Sequence, residues 1–272
     1  MVDSKKYFMR IAYDGTRYSG WQIQPNSTSI QGLIENALQT VLKIPIRIIG
    51  AGRTDAGVHA LGQVAHFSYE GSLNCHQIGY ALNGLLPYDI RVKELFPTLT
   101  SFHAQYSALS KEYHYHLWLE KIVDPFVRLY RHHLYDKRFS LTLLQEATFH
   151  FLGTHDFATF ANVGGSVSTT VRTLKRLDLV EQEGGIRLEF EGDGFLYKMV
   201  RNLVGTLLEI ATGRRSASEI SLLLAAKDRR KAGPAVSPRG LFLIKINYPA
   251  RFEKSSGNED TCINDLPVSC ES

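Results

Sequence analysis

The sequence predicts an α+β protein made of two successive βαββαβ halves, each with an antiparallel sheet. Three observations carry this expectation. Apolar periodicity alternates between strand and helix repeats in the order β-α-β-β-α-β over residues 7–96. The same order returns over residues 112–247, as a repeat of topology without a repeat of sequence. A chain of 272 residues, 44% hydrophobic, has material for one large or two modest cores.

Taken in order, Tyr7–Tyr13 reads as the first strand. Ile30, Leu33, Ile34, Ala37, Leu38, Val41 and Leu42 recur at helical spacing, and Thr28 or Ser29 can cap the start. Strands are expected at 46–50 and 63–68, a helix at 73–85 and a strand at 90–96. That is the split βαβ, or ferredoxin/RRM-like, pattern. In the second half, 112–119 alternates as a strand and 140–151 reads as a helix. The runs 171–181 and 186–191 flank Gly184-Gly185 as a hairpin. A long amphipathic helix covers Leu196–Ala211 and stops at Gly213. Its mid-helix Gly205 costs about 1 kcal/mol against Ala, so close packing against a neighbour is expected there. A short helix at 216–226 precedes the last strand at 241–247.

The boundary between halves falls near 97–110, giving an N-terminal domain over 1–103 and a C-terminal domain over 104–250. Residues 251–272 hold two basic and five acidic residues and lack apolar periodicity, so a disordered acidic tail is expected. The net charge of +4 points only weakly to an anionic partner. Its distribution says more: between Lys198 and Arg239 nine Lys/Arg stand against three acids, the scale of a phosphate-tracking surface. Cys75, Cys262 and Cys270 have no metal spacing, and an odd number without a signal peptide points to the reducing cytoplasm. No apolar run approaches the roughly 18 residues of a membrane span.

Gly50-Ala51-Gly52-Arg53-Thr54-Asp55-Ala56-Gly57-Val58-His59 places one carboxylate on a glycine-hinged loop after a strand-like run, with Arg53 two positions before Asp55. Glycines let such a backbone turn sharply and approach a ligand, and a neighbouring guanidinium holds a carboxylate ionised for nucleophilic or general-base work. Local composition alone favours a plain Asp-Ala-Gly turn. The stretch is not a dinucleotide fingerprint, because Asp55 occupies the place of the third glycine, and no Gly-Lys-Ser/Thr makes it a Walker loop. No cofactor is expected.

On the strand 112–119, Tyr113, Tyr115 and Leu117 share one face and His114, His116 and Trp118 the other. Strand tyrosines usually pack, but Tyr113 opens the strand at the domain junction, where a ring can stack a flipped base. His114 and His116, with His132-His133, invite a zinc reading; no Cys, Asp or Glu at a recognisable spacing completes the ligand set, so no metal is expected. In Lys198-Met199-Val200-Arg201-Asn202, Lys198 and Arg201 share a surface away from the apolar stripe, and Arg201 is either a solvated charge or a partner for an acid or phosphate. Asp156, in Gly153-Thr154-His155-Asp156-Phe157, reads as a helix cap rather than a catalytic acid.

Gly50–Phe67 (GAGRTDAGVHALGQVAHF) closely resembles the active-site segment of the bacterial tRNA pseudouridine synthase A family. The resemblance extends through Arg10–Thr16, Tyr18–Gln22, Phe102–Ala104, Ser110–Tyr115, His155–Phe157, Met199–Thr206 and the ending Ala232-Gly233-Pro234 to Gly240-Leu241, covering roughly residues 7–248. It departs at Val236-Ser237-Pro238-Arg239, where the family usually reads Ala-Pro, and the acidic tail lies outside it. The resemblance implies the pseudouridine synthase fold and isomerisation of uridine to pseudouridine at positions 38, 39 and 40 of the tRNA anticodon stem-loop. It also implies a homodimer acting on tRNA without a small-molecule cofactor. Carried over by motif, Asp55 is the essential carboxylate and Tyr113 stacks on the target base. Arg201 pairs with the aspartate, and Arg53 helps hold the RNA or the flipped nucleotide. Two rival readings are a non-catalytic RNA-binding protein with RRM-like halves and a metal-dependent hydrolase built on His114 and His116.

Overall fold

A computed structural model describes residues 4–164 and 167–253, and by internal packing these form two compact units. The first holds the residues up to Leu109 together with those from Ile246 on; the second holds Ser110–Lys245. The packing boundary therefore lies at Leu109 rather than 103, and the last strand ends back in the first unit.

In the first unit the order is β1 (Ser4–Tyr13), α1 (Ile30–Leu42), β2 (Ile49–Gly50), β3 (His59–Glu70), α2 (Cys75–Leu85) and β4 (Ile90–Thr98). β1 pairs antiparallel with β3, setting Tyr7 opposite Phe67, and with β4, setting Phe8 opposite Phe96. β2 pairs antiparallel with β3 at Ile49 and Gly50. The strand order is thus β4-β1-β3-β2, as the split βαβ pattern requires. Ser29 caps α1 by accepting from the Gly32 amide at 3.2 Å, and Asn74 caps α2 through the Gln77 amide at 3.1 Å. The strand expected over 46–50 shrinks to two residues for a definite reason. Glu35 of α1 accepts from the Ile48 amide at 3.0 Å, and Gln31 donates to the Ile48 carbonyl at 3.1 Å, so side chains take the bonds a ladder would use. The core here is aromatic: Phe8 stacks on Phe96 at 4.5 Å, and Phe102 meets Tyr248 at 5.2 Å and Phe252 at 5.3 Å.

The second unit runs β5 (Ser110–Trp118), β6 (His132–His133), α3 (Leu141–Phe149), β7 (Gly153–Asp156), β8 (Val171–Gln182), β9 (Gly185–Gly192), α4 (Met199–Ala211), α5 (Ile220–Ala226) and β10 (Leu241–Asn247). Its strands follow the order β10-β5-β9-β8, the same arrangement as in the first unit, with β7 added beside β8 and β6 beside β5. β8 and β9 form the expected hairpin, closing at Gln182 opposite Gly185 with Gly184 at φ +69°. α4 begins three residues later than its apolar stripe suggests, because Lys198 sits in the left-handed region at φ +59° and breaks the helix before Met199. Gly213, at φ +69°, ends it as expected. Gly205 is required by contact: a Cβ there would fall 1.8 Å from the Pro234 carbonyl oxygen.

Phe252, placed by sequence in the acidic tail, is buried in the first unit, and the remainder of that tail, 254–272, lies outside the described residues. Among the described residues no helix is long and apolar enough to cross a membrane.

Candidate active site

The loop carrying Asp55 is held by its backbone. It leaves β2 and enters β3, and its first residues are tied down by Ala51, whose amide donates to Val64 at 2.7 Å, and by the Gln63 amide side chain, which donates to the Gly52 carbonyl at 2.9 Å. The segment after β1 clamps its centre. The Trp21 amide donates to the Thr54 carbonyl at 3.1 Å, the Gly57 amide to the Tyr18 carbonyl at 3.4 Å, and the Gly15 amide to His59 Nδ1 at 3.1 Å. Tyr13 and Thr54 hydroxyls meet at 2.8 Å in a buried pair, where burial pushes the phenol well above its ordinary range and keeps it protonated. Gly20, at φ +93°, lets this clamp come close: a Cβ would fall 2.4 Å from the Thr54 carbonyl oxygen.

Asp55 itself begins a tight turn, its carbonyl accepting from the Val58 amide at 3.1 Å with Gly57 at φ +76°. The plain-turn reading of Asp-Ala-Gly thus describes the backbone, since this turn is closed by main-chain groups, and the Asp55 side chain is half-buried. Arg53 is exposed and Thr54 between them is buried.

In the second unit, Tyr113 lies on the inward face of β5 with Tyr115 and Leu117, as the alternation requires. It is only 8% exposed, and Phe195 meets it edge-on at 5.0 Å and 77°. Arg201, on the first turn of α4, is half-buried rather than a solvated charge. Its Nε donates to the Val236 carbonyl at 2.7 Å, and the Val236 amide donates back to the Arg201 carbonyl at 3.3 Å. Asn202 beside it is wholly buried and structural: it donates to the Phe160 carbonyl at 2.7 Å and accepts from Arg229 at 2.7 Å.

The matching family model is that of the tRNA pseudouridine synthases, over residues 9–107 and 147–249. The chain belongs to the tRNA pseudouridine synthase family. Its relatives include tRNA pseudouridine synthase A 1 of Protochlamydia amoebophila, 52% identical with 95% of this chain and 99% of that protein covered. The tRNA pseudouridine synthase A of Chlamydia muridarum is 46% identical (94% and 99% covered), and that of Geobacillus kaustophilus 45% identical (88% and 92% covered). A chain titled as from a Cbf5-Nop10-Gar1 complex aligns over 88% of this chain and 58% of its own, at 13% identity and a TM-score of 0.33, too low to bear on the fold.

For a member of this family the histidines of β5 have ordinary structural work. His114 Nε2 lies 2.8 Å from Glu112, and both belong to a cluster with Glu189 whose ligand-type atoms lie within 4.8 Å of one another. Arg176 holds Glu112 at 3.0 Å and Glu189 at 2.5 Å, and Arg187 also pairs with Glu189. Two guanidiniums thus occupy the space and charge a cation would take. His116 instead meets Gln182 at 3.2 Å and the edge of Phe242.

The basic segment is more self-paired than its composition implies. Arg214 reaches Asp136, Arg215 holds Glu209, Lys227 holds Asp156 and Arg230 holds Asp228. Asp156 ends β7 rather than capping a helix, since Phe157 holds the cap position of the short turn that follows; its carboxylate accepts from the Ala158 amide at 3.1 Å, and Lys227 draws it below the usual range. Sequence reasoning missed that Gly20 backs the Asp55 loop, that Phe195 meets Tyr113 and that Val236 bonds Arg201. Gly20 and Val236 stood inside quoted motifs, but only their backbone geometry shows what they do.

Proposed function

We propose that this chain isomerises uridine to pseudouridine in tRNA, at positions 38, 39 and 40 of the anticodon stem-loop. It works as a cytoplasmic homodimer without metal or cofactor, with Asp55 as the essential carboxylate. The observation that supports this most is the Asp55 loop. A backbone clamped by Gly15, Tyr18 and Trp21 presents a carboxylate from a glycine turn, in a chain of the tRNA pseudouridine synthase family.

The reaction breaks N1–C1′, turns the uracil and joins C5 to C1′; the C5 proton is lost and N1 gains one, so substrate and product are isomers. The base must first leave its stack, which costs a few kcal/mol that an aromatic platform offsets. Tyr113 supplies that platform. Asp55 either attacks C1′ or removes a ribose proton, and a rigid backbone suits both, since a carboxylate fixed near the sugar needs no reorganisation as charge develops. Arg201 and Arg53 bind the nucleotide and its phosphates as cations, and the Lys198–Arg239 segment adds phosphate contacts by shape and charge rather than by base reading.

The test is site-mapped pseudouridine on tRNA incubated with purified Asp55→Asn protein, alongside tRNA binding. The variant is expected to bind tRNA within a few-fold of wild type and to form no product. Pseudouridine at wild-type levels with Asp55→Asn overturns the assignment of the carboxylate.

A further inference from the structure

The segment Ala232–Gly240 contains the stretch Val236–Arg239, where this chain departs from the family pattern, yet it touches Arg201 directly through a main-chain carbonyl. The Val236 carbonyl accepts from Arg201 Nε at 2.7 Å, and the Gly233 amide donates to Thr206 at 2.9 Å. Pro234 packs against Gly205 so closely that no Cβ fits between them. The Ser237 carbonyl accepts from the Tyr115 hydroxyl at 2.8 Å. Tyr115 is fully buried in β5, two residues after Tyr113, and burial keeps its phenol protonated and therefore a donor. Gly240 presses on the same ring: a Cβ there would lie 3.2 Å from Tyr115 Cζ.

We propose that Tyr115 is a positioning residue for the isomerisation: its hydroxyl fixes the segment at Ser237, and the adjoining Val236 carbonyl thereby sets the direction of the Arg201 guanidinium. This rests on the reading that Arg201 binds the substrate. A guanidinium is a planar fork, so committing Nε to one carbonyl fixes the plane in which its remaining donors lie. A buried phenol must spend its hydroxyl on some acceptor, and here that acceptor is the carbonyl next to the one that holds Arg201. Because the relay runs through carbonyls, side chains at 236–239 can differ from Ala-Pro without altering it, which accounts for the departure in sequence.

The experiment compares single-turnover rates and tRNA dissociation constants for Tyr115→Phe, Arg201→Lys and the double variant. Each single variant is expected to lose about ten- to a hundredfold in rate, as a displacement of about 1 Å in a positioning group does, with tRNA affinity within about twofold. The double variant is expected to be no slower than the slower single one, because both act through one guanidinium. A folded Tyr115→Phe protein with wild-type rate overturns the proposal while leaving the Arg201 reading intact, and so does a double variant whose losses multiply. An Arg201→Lys protein with wild-type rate overturns both. Should Tyr115→Phe fail to fold, Pro238→Gly loosens the same segment without touching either residue; the same loss of rate supports the relay, and a wild-type rate overturns it.

Discussion

Replacing Gly20 by alanine tests whether the position of the Asp55 loop matters to the chemistry. The substitution does two things. At φ +93° an L-residue is strained, by about 1–3 kcal/mol. The new Cβ would also lie 2.4 Å from the Thr54 carbonyl oxygen and 2.9 Å from the Asp55 carbonyl carbon, so the loop must retreat by about 0.6 Å to reach the 3.0 Å at which real contacts begin. That retreat stretches the Trp21-to-Thr54 hydrogen bond, adding about 1 kcal/mol. Together the expected loss is about 2–4 kcal/mol of stability, read by urea denaturation. Turnover should fall further than stability implies. A catalytic group displaced by half an ångström to one ångström costs on the order of tenfold to a hundredfold in rate. Gly213→Ala is the control: its φ is also positive, at +69°, but a Cβ there meets nothing within 4 Å, so it carries backbone strain alone, far from the loop in sequence. Single-turnover pseudouridine formation on a tRNA transcript, at a temperature where both variants are folded, separates the two effects. If Gly20→Ala turns over as fast as Gly213→Ala, the clamped loop is not what places the carboxylate.

Asn202→Ala is expected to cost about 2–4 kcal/mol in urea unfolding, since it strands the Phe160 carbonyl and one arm of Arg229 in a buried setting; a loss below about 1 kcal/mol would contradict that. Stability should also fall with acid. Burial, reinforced by His103 and Lys6, brings His66 down from 6.5 to about 4, and burial brings His116 to about 4 as well. Both take up protons more readily unfolded than folded, so stability rises with pH between 4 and 6.5 and is fully present above that window. The loss on acidification is on the order of 2 kcal/mol per histidine after screening, and urea midpoints at pH 7 and pH 5 measure it, with His66→Phe removing part of the slope. Chelation should leave isomerisation unchanged, because Arg176 and Arg187 already neutralise the Glu112–His114–Glu189 cluster; loss of activity that added zinc restores would contradict this.

Much of the fold was legible because local and global signals agree. Ser29 and the stripe from Ile30 to Leu42 mark both ends of α1, and Gly213 marks the end of α4 by its positive φ. What sequence could not show is where tertiary contacts override propensity. Ile48 reads as strand but gives its backbone to α1, through Gln31 and Glu35. Lys198 reads as helix, yet takes a left-handed conformation that delays the start of α4 until just before Arg201. The site divides in the same way. Residue types at 53, 55, 113 and 201 stand out in the sequence, whereas much of what holds the Asp55 loop and Arg201 is glycines, carbonyls and amides, which carry no side-chain signature. Arg201 illustrates this directly: one of the groups that hold it is a carbonyl 35 residues away.

The first unit is not made of contiguous chain. Tyr248 donates to the Ala104 carbonyl at 2.6 Å, Leu109 donates to the Asn247 carbonyl at 2.8 Å, and Phe252 covers Phe102. During synthesis on the ribosome, residues 4–109 therefore have to wait, with Phe102 uncovered on that side, until Tyr248 and Phe252 emerge to close it. A fragment cut after Leu109 would carry that same open seam for good.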